Sequence, residues 1–269
     1  MATYKVWDSA SSSWKYVVGT VEPVVTYIGF NSSIDIPKTT ADTIDDEFDS
    51  TSLNARWTVV DGTSGTVDPF LASTGERKIY DLASVPSYLA LQPHRVSTTQ
   101  SIKLRQDYTL GVGECVIMKL FTAAQVSSNS TGEITVGLWL NDDDSDPGAD
   151  GRCYLAFTVN TDGWELIASY TSGAGSTVAS TWGDTGSEWA YNGAPLYFRM
   201  TRVTSSVYVL QISMNGLSWT SMKRFTSDTT FNNIWIRAHS SATIPSNQSV
   251  PIQLIDWIRL GNDEIIPWS

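Results

Sequence analysis

The sequence is poor in residues that announce a mechanism. Cys115 and Cys153 are its only cysteines, too few for a disulfide scaffold and without the CxxC spacing of a zinc site. They open the runs "CVIMKLF" and "CYLAFTV" and read as buried strand residues, neighbours if those two strands pair. Histidine is limited to His94, in "LQPHRVS", and His239, in "IRAHSS"; neither belongs to a His-x-x-x-His pair or a Cys/His cluster, and both read as surface or edge residues. Lys and Arg number 17 against 28 Asp and Glu, a net charge of −11, so the basic field that nucleic acid or an anionic membrane requires is missing. No run reaches the roughly 18 consecutive apolar residues of a membrane span. Met1 leads into "ATYKVWDSAS" rather than a basic segment and an apolar run, so neither a signal peptide nor membrane insertion is expected. A Gly-x-Ser-x-Gly elbow and a phosphate-binding glycine loop are also missing.

What is present favours strands. Apolar residues make up 41% and charged residues 17% of 269, with eleven Trp and eleven Tyr, a balance that suits pleated, half-buried surfaces. From Asp46 onward almost every apolar run alternates with period two. In "EITVGLWL", Ile134, Val136, Leu138 and Leu140 alternate with Thr135, Gly137 and Trp139. "RCYLAFTVN", "WELIASY", "LYFRMTRV", "VYVLQISM", "NIWIRAHS" and "PIQLIDWIRL" continue the pattern between Gly, Asn, Asp and Ser clusters. No long segment has helical period, so the fold expected is all-β, a two-sheet antiparallel sandwich. Upstream, "YKVWDSASSSWKYVV" reads as a β-hairpin arm, and Pro23 and Pro37 bracket a connector. Two regions follow: 1–45 as hairpin and connector, 46–269 as sandwich.

"DEFDSTSLNARWTVV" resembles the opening strand of concanavalin A-like lectin/glucanase jelly rolls. "APLYFRMTRVTSSVYVLQISMNGLSWTSM" is similar to that superfamily's strand pair with its Asn-Gly hairpin, and "IQLIDWIRLGN" to its closing strand, beside the first. The resemblance spans roughly residues 46 to 262 and implies a jelly-roll sandwich. The N-terminal hairpin resembles the Trp-containing hairpins that open many tailed-bacteriophage structural proteins, which implies a virion component of tail, fibre or head-decoration type. On that resemblance Tyr4, Trp7, Trp14 and Tyr16 form an assembly anchor, the partners are other virion proteins and further copies of the chain, a trimer among the oligomers expected, and the location is the virion.

The retaining enzymes of the resembled superfamily carry Glu-x-Asp-x-x-Glu on one strand, because nucleophile and acid must sit about 5 Å apart. No such set occurs here, and the chain is expected not to be an enzyme. Phe48, Leu53 and Trp57 read as core, Asp46, Glu47 and Asp49 as solvated or turn-capping. "NDDDSDPGADG" packs five Asp into eleven residues, a density of hard oxygen donors that suits Ca2+; Asp142, Asp144, Asp146 and Asp150 are the candidate ligands, the alternative being a solvated acidic turn. No cofactor is otherwise required. Sugar binding needs aromatic platforms on an exposed surface; Trp139, Trp164, Trp182, Trp189 and Tyr191 are the available aromatics, and "STWGDTGSEWAYNGAP" reads as an exposed loop that offers Trp182, Trp189 and Tyr191. A carbohydrate-binding module contacting host-surface glycans is therefore the alternative function, followed by a glycan hydrolase.

Overall fold

The computed structural model describes residues 3–8, 13–18, 43–67, 79–83, 87–92, 100–123, 133–160, 163–185, 195–241 and 252–261. These residues form strands and turns and no helix. A seven-stranded sheet runs in the order β12 (Thr177–Thr185), β11 (Gly163–Thr171), β10 (Arg152–Asn160), β9 (Ile134–Asn141), β16 (Asn233–Ser240), β7 (Gln100–Asp107), β3 (Thr58–Asp61). An eight-stranded sheet runs β15 (Thr220–Thr226), β14 (Val207–Ser213), β13 (Pro195–Arg202), β8 (Cys115–Ala123), β17 (Ile252–Gly261), β6 (Leu89–Gln92), β5 (Ile79–Asp81), β4 (Thr63–Ser64). Every pairing is antiparallel except β4 with β5. The hairpin β1 (Thr3–Asp8) and β2 (Ser13–Val18) is a separate two-stranded sheet with Trp7 opposite Trp14.

Alternation along each strand builds the core. Ile134, Val136, Leu138 and Leu140 of β9 face inward with Leu155 and Phe157 of β10 and Ile234 and Ile236 of β16; they meet Val116, Met118 and Leu120 of β8 and Phe198 and Met200 of β13 from the other sheet. Because side chains alternate faces, the intervening residues of the seven-stranded sheet must point away from this core. They form a cluster of their own, Trp139, Ala156 and Trp235, against which Tyr154 packs.

Cys115 and Cys153 are buried on different sheets, so the two strands that carry them do not pair. Burial pushes the Cys153 thiol well above its ordinary value, and a buried, protonated thiol is inert.

The first acidic stretch does structural work. Residues 46–57 form turns around an isolated bridge between Asp46 and Ile258, and the ladder begins only at Thr58. The Asp46 carboxylate accepts the Phe48 N–H at 3.0 Å and the Trp57 indole N–H at 2.8 Å. Asp45 accepts the Leu260 N–H at 2.8 Å, and Glu47 pairs with Arg259 at 2.8 and 3.1 Å. Phe48 is buried at a φ of 48°, a left-handed conformation costly for a residue with a Cβ; its Asp46 hydrogen bond and Trp57, 6.2 Å away, hold it there. Asp45 and Glu47 clamp the start of the sandwich to β17, while the Asp46 carboxylate caps the turn at Phe48, one of the two roles expected of it, and Asp49 is exposed. Asp46→Ala removes two charge-assisted hydrogen bonds, and a loss of about 3 kcal/mol is expected in urea unfolding; Asp46→Asn, which keeps an acceptor oxygen, should lose less.

Candidate functional site

The outward face of the seven-stranded sheet carries a groove of about 540 Å³. Strand register sets out its floor in three rows. The first runs Ser101, His239, Thr135, Thr158 across β7, β16, β9 and β10. The second runs Asp61, Lys103, Arg237, Gly137, Ala156, Ile167 from β3 to β11. The third runs Arg105, Trp235, Trp139, Tyr154. Small residues hold the middle, an aromatic row closes one side, and Glu133 and the loop 142–151 border the ends.

Gly137 makes this floor possible. A Cβ there would run into the Leu155 carbonyl oxygen and stand 2.8 Å from the Trp139 ring, so the indole lies over the space the glycine leaves. Gly137→Ala is expected to destabilise the fold by about 2 kcal/mol through overpacking and to disturb the Trp139 near-UV circular dichroism band, both readable in one thermal melt.

Trp139 is only 3% exposed. It stacks on Tyr154, ring centroids 5.3 Å apart and planes 20° apart, with the Arg237 guanidinium 5.7 Å from its centroid. Trp139 is thus the base on which a half-exposed Tyr154 and Arg237 are seated. Trp235 beside it is fully buried and donates its indole N–H to Asn141 Oδ1 at 2.8 Å, while Asn141 Nδ2 donates to the Asp146 carbonyl at 2.7 Å. This chain of bonds ties the acidic loop to the groove.

The loop's carboxylates do not converge. Asp143 accepts from the Ser145 hydroxyl and the Ser145 and Asp146 N–H groups, which hold it below the usual carboxylate range. Asp144 accepts from Asn233 at 2.9 Å and pairs with Arg105. Asp146 meets Lys103 Nζ at 3.3 Å; burial works to raise its pKa, but the Gly148 N–H and the Lys103 ammonium outweigh burial and hold it low. Asp150 lies 3.7 Å from Arg152, and Asp142 borders Gly151. Among the described residues no group of three or more His, Cys, Asp or Glu could hold a metal ion. Of the four residues expected as calcium ligands, Asp144, Asp146 and Asp150 face cations and Asp142 lies beside Gly151.

Of the aromatics expected to meet sugar, Trp182 lies on β12 in register with Leu166, while Trp189 and Tyr191 lie outside the described residues. Tyr4, Trp7, Trp14 and Tyr16 are placed on the two strands of the hairpin. His94 is also outside the described residues. His239, expected at a surface or edge, stands on interior strand β16 and lines the groove, its Nδ1 within 3.2 Å of Ser101 Oγ; register across three strands, rather than any local motif, puts it there.

The fold defines an all-β jelly-roll sandwich with an open groove on one sheet. No protein-family model and no curated protein sequence matches the chain. Solved structures do share the sandwich. One, from a study of endo-acting O-glycanases with which human gut microbiota initiate mucin breakdown, is similar with a TM-score of 0.54 at 12% identity over 83% of this chain and 100% of its own. The Bacteroides ovatus mixed-linkage glucan glycoside hydrolase of family 16, solved with its G4G4G3G product, gives 0.50 at 14% identity over 80% and 98%. The Bacteroides ovatus xyloglucan protein GH43B gives 0.51 at 12% identity over 95% of this chain and 45% of its own.

The expectation that the chain is not an enzyme is corrected by these neighbours, which are glycoside hydrolases. That exclusion rested on the missing single-strand carboxylate set. The set is indeed missing from β9, β10 and β16, yet the groove gathers Asp61, Glu133 and Asp146 from a strand edge, a strand end and a loop, where no single-strand motif would reveal them.

Proposed function

We propose that the protein is carbohydrate-active and binds a glycan chain along the groove of the seven-stranded sheet. The observation that carries this reading is the groove's build: a floor that includes Ala156, Thr135 and Thr158, a seated Tyr154 as sugar platform, and polar side chains from both sides, the combination a saccharide site needs. The shared sandwich of glycoside hydrolases supports it. A panel of oligosaccharides titrated calorimetrically tests the reading, and a purified protein that binds none of them would overturn it.

Hydrolysis in the same groove is a second reading, favoured by the presence of both Asp61 and Asp146 beside Lys103 in the groove lining. Asp61 is its ladder partner and Asp146 its ion-pair partner. Asp146, whose pKa is held low, suits a nucleophile or general base, and Asp61 is the second carboxylate such a reaction needs. Reducing ends released by the parent, and not by Asp146→Asn or Asp61→Asn, are the expected outcome.

The hairpin supports a placement on a larger particle. A two-stranded sheet is marginal in water by itself, and among the described residues β1 and β2 pair with no strand of the sandwich. Virion attachment rests on the hairpin's sequence resemblance, since the solved structures reported above are hydrolases. Deleting residues 1–40 should leave the melting temperature of the sandwich unchanged and abolish incorporation into particles; unchanged incorporation would refute the anchor.

A further inference from the structure

Four cationic side chains border the groove face, and three have a carboxylate. Lys103 holds Asp146 at 3.3 Å, Arg105 holds Asp107 at 2.9 Å and reaches Asp144, and Arg152 reaches Asp150 while donating to the Gly148 and Ala149 carbonyls. Arg237, in the middle of the floor, is different. Its Nε and Nη2 reach the Ser101 hydroxyl, at 3.4 and 3.3 Å, and Nη2 reaches His239 Nδ1 at 3.4 Å. These bonds are long and their partners are not carboxylates. No carboxylate stands within ion-pair distance of Arg237 among the described residues, although the chain carries 28 Asp and Glu. Nη1 makes no hydrogen bond there and is not among the buried unsatisfied atoms, so its two N–H groups are left to the groove.

Partial burial already weighs against the charged guanidinium: its pKa is pushed down by desolvation and only partly restored by the carboxylates Asp146 and Glu133, neither of them in ion-pair contact. A half-buried charge without a counter-ion is costly unless a partner supplies the opposite charge. Trp139 and Ser101 fix the guanidinium plane, so the donor is organised before any ligand arrives.

We infer that the groove takes an acidic glycan, whose anionic substituent, a uronate carboxylate or a sulfate ester, binds the free side of the Arg237 guanidinium while the sugar ring lies against Tyr154. This rests on the glycan-binding reading above and adds the chemical class of the ligand. Guanidinium matches either anion through paired N–H donors. The net charge of −11 repels anionic polymers at long range, so the preference must arise from this local donor, and it is best measured near 0.15 M salt, where the screening length is about 8 Å.

The test titrates the full chain with polygalacturonate, dextran sulfate, and the neutral polymers dextran and laminarin. One of the two acidic polymers should bind, and which one does separates carboxylate from sulfate. Arg237→Ala should weaken that binding by at least about tenfold, the fold-change expected of a charge-assisted hydrogen bond, and Arg237→Lys should recover part of it. Circular dichroism of both variants must match the parent. Binding of neutral polymers alone would overturn this inference and leave glycan binding standing. Binding of none would overturn both. Acidic binding unaffected in a folded Arg237→Ala would also overturn the inference.

Discussion

Trp235→Ala is expected to cost about 4 kcal/mol of stability, lowering the melting temperature by roughly 8–16 °C. Trp235 is the largest fully buried side chain among the described residues and lies on the groove side of the sheet, with Trp139 and Ala156. Truncation opens a cavity the size of an indole beneath Arg105, whose guanidinium is 5.9 Å from that ring. It also strips Asn141 Oδ1 of its donor, leaving an acceptor at a 0% exposed residue without its partner, a further penalty. Asn141 in turn positions the Asp146 carbonyl, and Asp146 sits on Lys103. Glycan affinity should therefore fall in Trp235→Ala even at temperatures where the protein is folded. Trp235→Phe fills most of the cavity without the indole N–H, so it isolates the hydrogen bond: a loss of about 1–2 kcal/mol with the acidic loop loosened. Thermal melts of the two variants together with loop amide exchange decide this, and equal stability of Trp235→Ala and the parent would remove the groove's structural foundation.

Tyr154→Ala should have the opposite signature. Tyr154 is partly buried on Trp139 and outside the inter-sheet core, so its removal costs less stability than that of Trp235. A sugar ring against its face buries enough apolar area to contribute about 2 kcal/mol, so roughly a thirtyfold rise in Kd is expected for whichever glycan the parent binds. Tyr154→Phe keeps the face and the stacking on Trp139 and should stay close to the parent. A Tyr154→Ala protein with parental affinity would place the sugar elsewhere.

Much of the fold is legible in the sequence because period-two alternation carries it. "CVIMKLFTA", "ITVGLWLN", "RCYLAFTVN" and "NIWIRAHS" each read as a strand and each is one. The Asn215-Gly216 turn is equally local: Gly216 takes a φ of +71°, and the Asn215 side chain accepts from the Leu217 and Ser218 N–H groups. Trp219 then packs against Tyr197 and the Arg199 guanidinium. The opening acids are harder, since Asp45, Asp46 and Glu47 find their partners on β17, more than two hundred residues away.

The groove is not legible for the same reason. Its floor is assembled from outward positions on β7, β9, β10 and β16, which the chain visits far apart, and only register brings Lys103, Arg237, Gly137 and Ala156 into one row. Sequence attention falls naturally on dense local clusters, the acidic loop and the Trp-rich loop. The usable signals were quieter: Arg237 and His239 at alternate positions of an otherwise apolar strand, and a Thr-x-Gly-x-Trp spacing on β9 that leaves a flat floor beside an aromatic.

The claim that a glycan lies in this groove is tested most directly by indole N–H resonances during titration with a bound oligosaccharide. Trp139 and Trp235 lie at the groove, whereas Trp219 and Trp257 belong to the eight-stranded sheet's cluster around Tyr197. The account predicts saturable shifts of the Trp139 and Trp235 signals with Trp219 and Trp257 unmoved; shifts confined to Trp219 and Trp257 would contradict it.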